Sequence, residues 1–138
     1  MRRSSHSELY VHFVWATWER HPLITVELQP RVYASIAHHA AALGARVIAI
    51  GGISDHVHLL VRLPPTISIA EFIGRVKGAS SHFVTHLLGT TEPFKWQGGY
   101  GAFTVSRRNV AAVRDYVLNQ EIHHGARTTH PALERTEE

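Results

Sequence analysis

The chain has 138 residues, 44% of them hydrophobic and 18% charged, which suits one globular domain rather than two full ones or a disordered segment. There is no cysteine, hence no disulfide, thiolate metal site or cysteine nucleophile, and the N-terminal "MRRSSHSELY" has no apolar core of a secretory signal. No apolar run reaches the ~20 residues needed to span a bilayer, and the lack of cysteine is compatible with the cytoplasm, the expected location. The net charge of +3 and a pI near 9.7 permit nucleic-acid binding without requiring it.

The first element in chain order is "LYVHFVWAT", residues 9–17, rich in β-branched and aromatic residues and therefore a strand. After a loop marked by Pro22, apolar residues at Leu28, Val32, Ile36, Ala40 and Leu43 trace a helical stripe from about Val26, closed by Gly44. "ARVIAIGGI" and "HVHLLVRL" read as two strands of a hairpin turned at Ser54-Asp55. "LPPT" then breaks the chain. Ser68 with Glu71 has the capping-box form, and Ile69, Phe72, Ile73, Val76, Phe83 and Leu87 carry the helix on.

The Gly-containing loop "GTTEPFKWQGGYG" leads into a short strand, "AFTV". Ser106 is a candidate cap for a last helix, from about Arg107 to His123. The residues after Gly125 are polar, so the core is expected over about 9–124 with 125–138 as a flexible tail. The order β-α-β-β-α-β-α predicts an α+β, ferredoxin-like antiparallel sheet with helices on one face, followed by one extra helix. That superfold hosts many functions and decides none.

Chemistry is concentrated in "SDHVHLLVRL". His56 and His58 are two apart on a strand and project to one face, with Val57 and Leu59 on the other. Two imidazoles on one face can share a divalent ion, although a pair of hydrogen-bonded histidines is the commoner outcome. Asp55 adjoins them but points to the opposite face if it belongs to the strand. In "RDYVLNQEIHH", Tyr116 and Gln120 are four apart, so one helical face offers a phenol beside a carboxamide.

"SDHVHLLVRLPP", "VKGASSHF", "WQGGYGAFTVS" and "VRDYVLNQEIHH" occur in the order found in the single-tyrosine transposases of the insertion-sequence 200/605 group, which the chain resembles from about Tyr10 to His124. His56-Val57-His58 matches the His-hydrophobic-His motif of HUH endonucleases. Tyr116 matches their catalytic tyrosine and Gln120 their third metal ligand. The resemblance implies metal-dependent cleavage and rejoining of single-stranded DNA through a 5′-phosphotyrosine, after recognition of DNA hairpins. It implies Mg²⁺ or Mn²⁺ at His56, His58 and Gln120, although zinc also suits imidazole. It further implies homodimers, in which the tyrosine helix of one subunit commonly serves the metal site of the other. Close relatives that process repetitive extragenic palindromes share these motifs.

DNA contacts are expected from Arg20, Lys77, Arg107 and Arg108 to phosphates and from Trp96 and Phe94 by stacking on unpaired bases, set against solvated charges and core aromatics. Tyr100 is a rival nucleophile, but position 104 is Thr, so no ligand-type residue lies four along. The alternatives are a domesticated protein that binds hairpin or repeat DNA without moving it, a two-histidine phosphoesterase, and an RNA-binding domain. The second lacks its two His-x-Thr/Ser motifs and the third its RNP1 pattern.

Overall fold

The computed structural model describes residues 5–89, 94–126 and 128–136. Four strands, β1 (Leu9–Ala16), β2 (Arg46–Ile53), β3 (His56–Leu63) and β4 (Gly101–Val105), form one sheet in the order β2-β3-β1-β4, every neighbouring pair antiparallel. Helices α1 (Gln29–Ala42) and α2 (Ile69–Leu88) cross between them, giving the expected ferredoxin-like topology. Three shorter helices follow: α3 (Val110–Leu118), α4 (Gln120–Ala126) and α5 (Pro131–Glu134). No helix among the described residues is long and apolar enough to cross a membrane.

Alternation along β1 and β3 divides the molecule. Val11, Phe13 and Trp15 with Val57, Leu59 and Val61 face α1 and α2, where they meet Val32, Ile36, Phe72, Ile73 and Val76 in the main core. The intervening residues, His12, Val14, His56, His58 and Leu60, face the other way and are also buried; on this side α3 lies over β2 and β3, with Val117 packed on Ala49 and Leu60. Both faces of the central strands are thus withdrawn from water. A near-continuous apolar run is the sequence trace of such a strand, and the histidines interrupt it.

Helix α2 begins as its sequence requires, with the Ser68 hydroxyl accepting from the Glu71 N–H at 3.1 Å, and ends at Gly89 with φ of +57°. Helix α1 starts about three residues later than the apolar stripe implies. Thr25 Oγ1 accepts the Leu28 N–H at 3.2 Å and holds a turn there, leaving Val26 exposed and Pro30 in the first helical turn.

The last helix departs further from expectation. Residues Arg107–Asn109 form a 3₁₀ turn, α3 ends at Leu118, and Asn119 (φ −110°, ψ 29°) leaves helical geometry before α4 resumes. Asn119 bonds back to the Asp115 carbonyl through its side chain at 2.8 Å, the kind of local competition that breaks helices. Within the polar C-terminal residues, Pro131–Glu134 form α5, which packs on β4. The Arg135 carbonyl lies where a Cβ on Gly101 would be, 1.9 Å from it, a close approach that only glycine in β4 allows.

Candidate metal and tyrosine site

His56 and His58 do project together, from β3 toward α3, with exposures of 2% and 0%. The opposing helix reaches them because of Gly51, which pairs with His58 in β2. A Cβ there would lie 2.0 Å from the Val117 carbonyl oxygen, so the hydrogen side chain lets the end of α3 rest on the sheet. Tyr116 is thereby held edge-on to His58, ring centroids 5.9 Å apart. Gln120 survives the helix break in position. Its amide nitrogen donates to the Tyr116 carbonyl at 3.1 Å, and its Oε1 lies 3.3 Å from His56 Nε2 and 3.1 Å from His124 Nε2. The tyrosine, the two histidines and the glutamine picked out in sequence therefore meet within a single chain.

Each histidine is oriented from behind. His56 Nδ1 is 2.8 Å from Asp55 Oδ1. Asp55 was expected to point away on strand alternation, but it sits in the hairpin turn, where alternation does not apply. His58 Nδ1 is 2.8 Å from Nε2 of His12, a buried histidine of β1. A carboxylate or other partner on the outer nitrogen is the usual support of a metal-bound imidazole, since it leaves Nε2 directed at the ion. Burial, reinforced by His58, lowers the His12 pKa to about 3 and keeps it neutral. Burial also lowers His58. It opposes ionisation of His56 too, but Glu134 and Asp55 outweigh it and hold that group above its ordinary value.

Glu134, from α5, was not anticipated. Its Oε1 lies 3.3 Å from His56 Nε2 and 2.9 Å from His124 Nε2, and its Oε2 lies 3.0 Å from His58 Nε2 and 2.8 Å from the Tyr116 hydroxyl. Burial alone would raise this carboxyl, but His56 and His58 hold it well below the carboxylate range. The Tyr116 hydroxyl donates to Glu134 and accepts the His130 N–H at 2.9 Å. Its pKa is raised, first by burial and then by the carboxylate, so the phenol is protonated near neutrality. Two signals pointed toward the missed residues: a histidine inside the apolar phase of β1, and a proline followed by the helix formers Ala-Leu-Glu.

The donor set fits a divalent ion. His58 Nε2 is buried and aimed into the cluster, 3.0 Å from Glu134 Oε2. His56, His124 and Glu134 can bring three ligand atoms within 4.8 Å of one another. Neighbouring donors are 2.9 to 3.3 Å apart. Adjacent ligands of an octahedral ion with ~2.1 Å bonds are about 3.0 Å apart.

The candidate DNA contacts divide. Arg20 is exposed, 3.9 Å from Asp55, and Arg107 and Arg108 are exposed before α3. Lys77 is not a free phosphate ligand: its ammonium donates to the carbonyls of Gln97 and Gly99 at 2.8 and 2.7 Å, bracing the loop before β4. Trp96 and Phe94 cannot stack on unpaired bases from where they lie. Both are buried, Trp96 donating to Ser80 Oγ at 3.0 Å and packing edge-on to Trp15. Tyr100 packs against Phe13 on the helix-covered face, away from His56 and His58.

Residues 5–120 match the family described as Transposase IS200 like. The ISDra2 transposase TnpA of Deinococcus radiodurans is 28% identical over 118 residues, 82% of this chain and 84% of that protein. The transposase for insertion sequence element IS200 of Salmonella typhimurium is 33% identical over 81 residues, 54% of this chain and 52% of that one. A crystal structure described as a transposase from Deinococcus radiodurans R1 superposes with a TM-score of 0.67 at 27% identity, covering 87% of this chain and 96% of that one. The REP-associated tyrosine transposase bound to a REP hairpin shares the fold, with a TM-score of 0.65 at 16% identity over 100% and 91% of the two chains.

Proposed function

The chain belongs to the IS200-like transposase family, and from that membership we propose that it cleaves and rejoins single-stranded DNA with Tyr116 as nucleophile. One observation carries the reading: α3 and the start of α4 lay Tyr116 and Gln120 over His56 and His58. His56, His58 and Gln120 would hold Mg²⁺ or Mn²⁺, which would polarise the scissile phosphate and offset its developing charge. Tyr116 Oη forms the bond to phosphorus as the bond to the 3′ oxygen breaks. The phenolic proton is lost, the 3′ oxygen gains one, and the 5′-phosphate stays on tyrosine. Attack by another 3′-OH reverses these changes and joins strands, so no nucleotide is consumed.

Recognition of a DNA hairpin is proposed by analogy with the relative whose complex contains one, with Arg20, Arg107 and Arg108 as phosphate contacts. As the family implies, the protein would act as a cytoplasmic homodimer. The packing of Val117 on Gly51 is the contact through which the tyrosine helix, of the same chain or of a partner, would reach the histidines.

The test is incubation with labelled single-stranded oligonucleotides carrying a hairpin and its flank, in Mn²⁺, Mg²⁺ or EDTA. A metal-dependent, SDS-stable adduct formed by wild type and absent from Tyr116→Phe is expected. Hairpin binding with no adduct on a substrate that includes the true flank would replace this reading with that of a DNA-recognition protein.

A further inference from the structure

Three ligands, two imidazoles and a carboxamide, carry no charge. A hard divalent ion such as Mg²⁺ or Mn²⁺ is ordinarily held by at least one carboxylate. The chain places one in the cluster: Glu134 faces His56 and His124 with one oxygen and His58 with the other. Three imidazole Nε2 atoms converge on it at 2.9 to 3.3 Å, the spacing of donors that share an ion. Its delivery is built into the backbone, because Gly101 admits the Arg135 carbonyl and the Tyr116 hydroxyl accepts the His130 N–H.

Resting on the metal reading above, we propose that Glu134 is a ligand of the ion held by His56, His58 and Gln120, so that the C-terminal segment completes the metal site. His124 lies beside it as a neighbouring donor. The segment therefore contributes to metal affinity, and through Tyr116 it couples the nucleophile's position to occupancy of the site.

The experiment is calorimetric titration of the full chain with MnCl₂ alone, without DNA, comparing wild type, Glu134→Gln, Gly101→Ala and His58→Ala, with melting temperatures measured alongside. Glu134→Gln keeps the shape of the side chain and removes its charge. It is expected to raise the Kd for Mn²⁺ roughly 10- to 100-fold, a loss of the size seen when even supporting groups of metal ligands are removed. Gly101→Ala changes no ligand but clashes with the Arg135 carbonyl, so it should weaken Mn²⁺ in the same direction. A Glu134→Gln Kd within twofold of wild type overturns the proposal. Unchanged Mn²⁺ affinity together with faster adduct formation by Glu134→Gln, read separately in the oligonucleotide assay above, also overturns it and makes the segment an obstruction to DNA. Failure of the underlying metal reading looks different, since His58→Ala would then bind Mn²⁺ as wild type does.

Discussion

Gly51→Ala tests how α3 reaches the histidines. The added methyl would start 2.0 Å from the Val117 carbonyl oxygen and 3.0 Å from its carbon. Close C–H···O contacts are about 3.3 Å, so helix and sheet must separate by about 1.3 Å. Gly51 is paired with His58, and Tyr116 and Gln120 flank the clash in sequence, so the separation opens the site itself. A misplacement of about 1 Å in a reacting group costs about 100-fold in rate, equivalent to about 2.7 kcal/mol of barrier. Overpacking should also cost about 1–3 kcal/mol of stability, lowering the melting temperature by roughly 4–12 °C. Single-turnover adduct formation, measured well below the melting transition, reads the first effect, and calorimetry reads the second. Gly74→Ala and Gly78→Ala are the controls: a Cβ at either position in α2 meets nothing within 4 Å, and each should gain about 0.5–1 kcal/mol at unchanged rate. Wild-type rate and melting in Gly51→Ala would refute the placement of α3 on β2.

In EDTA, His12 should make the protein acid-sensitive. Its folded pKa is about 3 against 6.5 unfolded, so between those values the unfolded chain binds a proton that the folded one refuses. Stability then falls as pH drops, by about 1.4 kcal/mol per pH unit, and urea unfolding of His12→Asn should show a slope shallower by that amount between pH 6 and 4, both about, while an unchanged slope would contradict the burial argument. Lys77→Met should lose about 1–3 kcal/mol of stability by freeing the Gln97 and Gly99 carbonyls, yet leave the salt dependence of DNA binding unaltered. Arg107→Ala and Arg108→Ala should do the reverse, each lowering the salt slope by about 1 with little change in melting. Trp96→Ala should destabilise by about 3–5 kcal/mol, measured by denaturant unfolding, as befits a core residue.

The legible parts of the molecule were those governed by local periodicity. A two-residue alternation was enough to place His56 and His58 on one side of β3, and a Ser-x-x-Glu pattern was enough to start α2 at Ile69. The sheet order follows from short crossovers and antiparallel pairing. Local rules misjudged residues whose surroundings are made elsewhere. Lys77 has the composition of a phosphate contact, and only the return of the loop before β4 across α2 gives it two carbonyls to bind. Trp96 reads as an exposed loop aromatic until Trp15 and Ser80 close around it.

His12 and Glu134 show the same limit at the site. The interval between His12 and His58 is 46 residues, and their contact depends on the register of β1 against β3, which no local pattern specifies. Glu134 lies in a polar tail that ordinary composition rules assign to solvent, and its docking needs both the missing side chain at Gly101 and partners, His56, His58, His124 and Tyr116, that the fold assembles elsewhere. Close backbone approaches at Gly51 and Gly101 thus bring two unrelated segments, the tyrosine helix and the C-terminal turn, onto the same pair of histidines. A histidine pair on a strand is a common arrangement with many uses. What distinguishes this one is that glycines on β2 and β4 admit a phenol and a carboxylate that meet at a single hydrogen bond of 2.8 Å.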